Sequence, residues 1–176
     1  MKRLLRTSIA AALAIAAAAA GAAGKAGEKP ADKAPPVIEI YIPKPCLACI
    51  DWGAYLTDNG FKVIYKESAD MAAVKRRFKV PAEVESVHTA VVGGYFVEGH
   101  AHAEDIQELL RDKPKARGIA VPGLPRGAPG RETSNPSCET GCTMLDSDSG
   151  EKNPRRELYE TLLVLPDGAT KIWARH

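Results

Sequence analysis

Two cysteines separated by two residues, Cys46 and Cys49, restrict the fold of this chain more than any other feature of its sequence. Val37–Ile42 is rich in β-branched residues and predicts a strand. Residues 46–59 carry apolar side chains at helical spacing and stop before Gly60, which predicts a helix. The pair therefore lies where a strand ends and a helix begins, a position typical of redox and soft-metal motifs.

The elements predicted after this helix complete a recognisable order. They are a strand at 61–65, a helix at 70–78 with Asp70 as its cap, strands at 89–92 and 95–98 around Gly93-Gly94, and a helix at 103–111. This β-α-β-α-β-β-α order is that of a thioredoxin-like domain, so we predict an α/β fold. Residues 114–156 show no period and predict a long C-terminal loop. Apolar runs at 158–165 and 169–174 flank Pro166-Asp167-Gly168 and predict a final β-hairpin.

The N-terminal region has the pattern of a secretory leader. Residues 1–23 combine a basic start, an apolar stretch from Ile9 to Ala20 and a small-residue end, which predicts a signal peptide. Residues 24–36 have no apolar face and predict a disordered linker, so the folded domain is expected at 37–176. No later segment is apolar enough to span a membrane. We expect a periplasmic protein, in a compartment where disulfides form and persist.

The charge balance excludes one class of partner. The chain has 24 Lys and Arg against 22 Asp and Glu, and removing the leader's Lys2, Arg3 and Arg6 leaves 21 minus 22, or −1. A near-neutral domain with 6% aromatic residues does not support nucleic-acid binding.

The helix start determines what the cysteine pair can do. Unpaired backbone amides and the helix dipole favour a thiolate at Cys46. Cys49, one turn later, lies on the same face. The two sulfurs can therefore either close a disulfide or bind one soft metal ion, and the spacing leaves both open. Trp52, one turn further on, is expected to pack the helix against the sheet, and Asp51 to be a surface carboxylate.

Several motifs together resemble one bacterial family. They are Cys46-x-x-Cys49-x-x-Trp52, the stretch 86–92, Glu98-Gly99-His100, the stretch 116–123 and Ala174-Arg175-His176. On these motifs the chain resembles the CopG-like family of periplasmic metal-binding proteins, domain of unknown function 411. The resemblance implies a thioredoxin-like fold that binds copper, with cysteines and histidines as ligands, in copper resistance.

The chain also departs from that family pattern. Ala48 and Val87 stand where the resemblance places cysteines, and Leu124 and Arg131 where it places methionines. Four soft ligands are therefore missing, and a thiolate-bridged copper cluster of the family type does not carry over.

Two histidines are the remaining candidate ligands near the cysteines. His88 directly precedes the third strand, at the edge expected to face Cys46, where thiol oxidoreductases carry a cis-proline. A two-residue turn at Gly93-Gly94 pairs Val87 with His100 and turns His88 to the opposite face. Only an irregular strand end would then bring both imidazoles to one metal. His102 is expected to open the next helix as a solvated side chain.

The long loop contains two further cysteines, Cys138 and Cys142. They either close a local disulfide, which Gly141 would permit, or supply soft ligands to the same site.

The sequence thus favours a binding protein over an enzyme. The first hypothesis is a periplasmic protein that binds Cu(I), with zinc as the less favoured metal. Its candidate ligands are Cys46, Cys49, His88, His100, Cys138 and Cys142. Its expected partners are the metal ion and another periplasmic copper-handling protein. The alternative is a thiol-disulfide oxidoreductase that uses the Cys-x-x-Cys motif.

Overall fold

A computed structural model of the chain describes residues 34–132 and 156–176. The predicted signal peptide, most of the predicted linker, and Cys138 and Cys142 lie outside these residues. Regular structure begins at Val37, where the folded domain is expected to start.

The described residues form seven strands, three α-helices and one short 3₁₀ helix. The strands are β1 Val37–Ile42, β2 Lys62–Glu67, β3 Thr89–Val92, β4 Tyr95–Glu98, β5 Gly118–Ala120, β6 Glu160–Val164 and β7 Thr170–Arg175. The helices are α1 Leu47–Asp58, α2 Met71–Phe78 and α3 Ala103–Asp112, with the 3₁₀ helix at Ala82–Val84. No helix in this part of the chain has both the length and the apolar character needed to cross a bilayer.

The strands make one mixed sheet in the order β2-β1-β3-β4-β5-β6-β7. β1 runs parallel to β2 and antiparallel to β3, and β4 runs parallel to β5. The remaining neighbouring pairs are antiparallel. The protein therefore has a mixed α/β fold, and its first seven long elements follow the predicted order.

Alternation along the strands divides the core between the two faces of the sheet. On one face, α1 and α3 cover side chains such as Ile38, Ile40 and Val97. On the other, Phe96 packs with Val80 and their neighbours, beside α2. Adjacent β4 residues thus belong to different core clusters, as the two-residue period of a strand requires.

The hairpin between β3 and β4 has the predicted two-residue turn. Gly93 and Gly94 have φ angles of 56° and 89°, which glycine adopts without steric cost. The ladder begins with Val92 opposite Tyr95 and ends with Thr89 opposite Glu98.

One prediction about the loop is wrong. The 114–156 stretch contains β5, which joins the first four strands to the final hairpin. Three residues, all buried, are too few to show a period, so the strand gave no sequence signal. Gly118 is required there, because a Cβ at this position would overlap the Phe96 carbonyl. The final hairpin itself is confirmed.

Candidate metal centre

The cysteine pair caps α1 and is closed as a disulfide. Cys46 is the N-cap residue, and its sulfur is bonded to that of Cys49 across a Cα–Cα distance of 5.3 Å. Both residues are buried, with 3% and 0% of their surface exposed. Of the two arrangements that the spacing leaves open, this structure contains the disulfide.

The two candidate histidines lie side by side. His88 precedes β3, His100 follows β4, and both are fully buried. Their ring centroids are 4.9 Å apart in an edge-to-face arrangement. Trp52 contacts both imidazoles, with centroid distances of 4.5 Å and 6.1 Å. Trp52 lies on α1, one turn after Cys49. Its indole therefore connects the cysteine helix with the histidine pair.

The expectation that the imidazoles point to opposite faces is wrong, because the strand end is irregular. Gly99 has a φ of 72°, and the Ala101 amide bonds back to the Gly99 carbonyl at 3.1 Å. This tight turn breaks the two-residue alternation after Glu98 and brings the ring of His100 beside that of His88.

The ring nitrogens of the pair are poorly satisfied. The Pro129 carbonyl lies 2.7 Å from His100 Nδ1 and can only accept, so Nδ1 carries the hydrogen and a neutral ring keeps a lone pair at Nε2. That Nε2, and both nitrogens of His88, are buried without a hydrogen-bond partner among the described residues. The Gly99 backbone raises the pKa of His88 and so opposes the larger effect of burial. Each orphaned polar atom costs about 1 to 3 kcal/mol.

Burial keeps both imidazoles neutral. Desolvation is the main cause that holds the pKa of His88 well below its ordinary value, with smaller contributions from His100 and from the Lys75 ammonium. Desolvation also lowers the pKa of His100 to about 4, although its bond to Pro129 opposes the shift. Neutral imidazole is the form that binds metals, so the pair is ready to act as ligands near pH 7.

Asp51 is half-buried, so the expectation of an ordinary surface carboxylate is wrong. Its Oδ2 atom is buried without a hydrogen-bond partner among the described residues, and its charge raises the pKa of His100. Gly130 packs against the backbone of Asp51 and Trp52, where a Cβ would be too close. This loop contact has no local sequence signal, because it joins residues about eighty positions apart.

The positions where the sequence resemblance implies soft ligands carry other side chains. Ala48 is buried in α1, and Val87 packs against the same core as the cysteines. Arg131 is buried, and its positive charge lowers the pKa of His100. Apolar and cationic side chains thus occupy positions where the resemblance implies sulfur ligands.

The other two histidines form a separate cluster. His102 caps α3 as predicted, but it is half-buried rather than solvated, and its Nε2 lies 2.7 Å from the Tyr159 hydroxyl. Its ring stacks on His176 with 3.9 Å between centroids. His176 Nε2 in turn lies 2.9 Å from the Asp105 carboxylate. These contacts link α3 to the final hairpin and could not be foreseen from sequence spacing.

Over residues 34–132 and 156–176, no three His, Cys, Asp or Glu side chains are arranged to hold a metal ion. In the disulfide form neither sulfur is a thiolate, so no soft anionic ligand stands beside the imidazoles. The structure thus brings His88 and His100 together and packs both against Trp52, which shares a core cluster with Cys46 and Cys49, while Cys138 and Cys142 lie outside the described residues.

The fold and this centre define a small α/β protein in which a tryptophan of the helix that begins at a cysteine pair packs against a buried histidine pair. Residues 84–131 match the family described as "Protein of unknown function, DUF411". Two solved structures, both named "Copper resistance protein copG" (forms 1 and 2), are 37% and 35% identical to the chain. Each aligns with a TM-score of 0.66 over 81% of this chain and 98% of its own. No curated protein matches. The chain belongs to the CopG-like DUF411 family.

The lowered pKa values predict loss of stability in acid. The unfolded chain, with histidine near 6.5, binds more protons than the folded chain between about pH 6.5 and pH 4. The contribution of His100 is therefore fully present above pH 6.5 and is lost as the pH falls, by on the order of 3 kcal/mol between pH 7 and pH 4. We expect His100→Asn, which keeps a donor for Pro129, to show a clearly smaller fall. Urea unfolding of both proteins at the two pH values measures this, and equal falls would contradict the burial of a neutral His100.

Proposed function

We propose that this protein binds Cu(I) and serves copper resistance or homeostasis in the periplasm. Reduction of the Cys46–Cys49 disulfide by an external dithiol, which is itself oxidised to a disulfide, yields two thiols, and these release their protons when they bind copper as thiolates. His88 and His100 would add neutral nitrogen donors. The observation that carries the proposal is the pair of buried imidazoles with orphaned nitrogens, packed against Trp52, which belongs to the same core cluster as the cysteines.

The donor chemistry fits copper better than zinc. Two thiolates with one imidazole form a soft, three-coordinate set that favours Cu(I), whereas structural zinc sites use four ligands, such as two thiolates with two imidazoles. The names of the two solved relatives support a role in copper resistance for this chain. Leu124 and Arg131, in place of the family's methionines, argue for fewer copper ions than a cluster would hold.

The arrangement of the first four strands supports a thioredoxin-like domain at 37–176. The order β2-β1-β3-β4 is combined with α1 and α3 on one face and α2 on the other. The predicted signal peptide at 1–23 and linker at 24–36 would place this domain in the periplasm, where a second copper-handling protein would deliver or accept the ion.

The first test is competition for Cu(I). The reduced protein is expected to bind Cu(I) tighter than Zn(II) by several orders of magnitude, measured against a chromogenic Cu(I) chelator. Cys46→Ser should weaken Cu(I) binding by more than about 100-fold, since even outer partners of a metal site are worth 10- to 100-fold. Leu47→Ser, at the neighbouring half-exposed position, is the matched control and should bind like the unmodified protein. Equal affinities for the two variants would show that Cys46 is not a ligand.

Thiol-disulfide exchange is the second candidate, because the observed disulfide caps a helix. Two features oppose it. Both sulfur-bearing residues are buried, so a protein substrate cannot easily reach them. His88, not proline, precedes β3, so the usual groove for an extended peptide is not built.

We therefore expect slow turnover in an insulin-reduction assay, within a small multiple of the rate of a Cys46→Ser control. A side-by-side thioredoxin provides the reference rate. If the two rates were comparable, exchange of disulfides would be the function and copper binding would be secondary.

The loop cysteines remain a separate proposal. We propose that Cys138 and Cys142 form a local disulfide in the oxidised protein and become copper ligands only after reduction. The double variant Cys138→Ser/Cys142→Ser should then lower the copper-to-protein ratio of the reduced protein, measured by elemental analysis. The metal-free melting temperature should barely change. A Ser137→Ala/Thr143→Ala variant controls for altering this segment, and an unchanged ratio in the cysteine variant would exclude the ligand role.

A further inference from the structure

A buried carboxylate lies directly behind the histidine pair. Glu98 ends β4 with none of its surface exposed. Its Oε1 accepts the Ser86 amide at 2.6 Å and an ion pair from the buried Lys75 of α2. Its Oε2 accepts the Thr89 hydroxyl at 2.6 Å. Both oxygens therefore have donors, which is the condition under which a charged group can stay buried.

This network and the imidazoles occupy opposite faces of the same strand ends. Glu98 meets Lys75 on the α2 side of the sheet, whereas the imidazoles meet Trp52 of α1. Thr89 and Glu98 are the last residue pair of the β3–β4 ladder. One residue beyond Thr89 lies His88, and two beyond Glu98 lies His100.

The carboxylate thus joins the two segments that carry the rings. It bonds to residues on both sides of His88, namely Ser86 and Thr89. On its own strand, its backbone oxygen accepts the Val121 amide at 2.9 Å. The next residue, Gly99, is confined so closely by Ser86 and Val121 that a Cβ would overlap them. A shift of either strand end would break bonds to a buried charge.

A gain in stability does not by itself explain the buried ion pair between Lys75 and Glu98. A buried ion pair gains little over apolar side chains of the same volume, because desolvation offsets the attraction. What it does supply is a fixed position, since each partner must keep its geometry. Ligand pairs that are held in place before binding avoid the cost of ordering them during binding.

We propose that Glu98 and Thr89 are positioning residues for the metal centre, and that their hydrogen bond holds His88 and His100 as a preformed pair. The effect on copper binding rests on the proposed function, but the positioning of the two rings can be measured without metal. Lys75 compensates the charge of Glu98. None of the three side chains binds the ion.

Thr89→Val tests the proposal, because valine keeps the shape of threonine and removes only the hydroxyl. In the metal-free protein we expect the nuclear Overhauser contacts between the rings of His88 and His100 to be lost. We expect Cu(I) affinity after reduction to fall about 10- to 100-fold, as for other outer partners of metal ligands. Thr89→Ser, which restores the hydroxyl, should recover the ring contacts and an affinity within about threefold of the original.

Thr161→Val is the matched control. Thr161 is also fully buried and also donates to a buried carboxylate, that of Asp105, at 2.5 Å, but it lies on β6. It should lower stability and leave both the ring contacts and Cu(I) affinity unchanged. Loss of affinity in this control as well would assign the Thr89 effect to general destabilisation and overturn the proposal.

A second variant covers the case in which Thr89→Val does not fold. Lys75→Met/Glu98→Leu replaces the ion pair by apolar side chains, which commonly preserves stability. We expect it to fold with a modestly lowered melting temperature, because the Ser86 amide and the Thr89 hydroxyl lose their acceptor, and yet to lose the ring contacts and the affinity. Retention of both would overturn positioning. If positioning fails while Cys46→Ser still weakens Cu(I) binding, the proposed function stands. If Cys46→Ser has no effect, that function fails whatever the ring contacts show.

Discussion

The packing of Trp52 is the contact on which the centre depends. Its indole N–H donates to the Ala101 carbonyl at 2.9 Å, and its ring touches both His88 and His100. One fully buried side chain therefore connects the helix that begins at the cysteine pair with the strand ends that carry the histidines. Neither the disulfide nor the imidazole pair would have a defined neighbour if this helix rotated on the sheet, because the largest side chain in the core would then lose its place.

Buried polar groups on the two faces of the sheet, at the ends of β3 and β4, differ in whether they have hydrogen-bond partners. Behind the sheet, the carboxylate of Glu98 has a donor for each oxygen. In front, three of the five buried side-chain atoms without a partner in the described residues belong to His88 and His100. The fold thus supplies hydrogen-bond donors to a buried carboxylate close to the imidazoles. Burial at this depth does not by itself leave a polar group without a partner. The unsatisfied nitrogens thus support the ligand role proposed for these histidines.

Most of the fold could be predicted, because its elements are local patterns. Asp70 caps α2 by accepting the Ala73 amide, and Gly93-Gly94 makes the turn that its composition indicates. The element that escaped prediction, β5, is three residues long and is recognisable only from its neighbours on either side. The same holds for the contact of Gly130 with the backbone of Asp51 and Trp52, which joins segments about eighty residues apart.

The sequence by itself determined which groups are available for the chemistry. The cysteine spacing at a helix start, the histidines beside β3 and β4, and the substitutions Ala48 and Val87 are all present in the chain as written. Only the tertiary structure decided how these groups meet. The strand period alone places His88 and His100 on opposite faces, but the positive φ of Gly99 turns them together, at a position where the close approach of Ser86 and Val121 leaves no room for a Cβ. Backbone packing between distant segments thus decided a relation that no local periodicity contains.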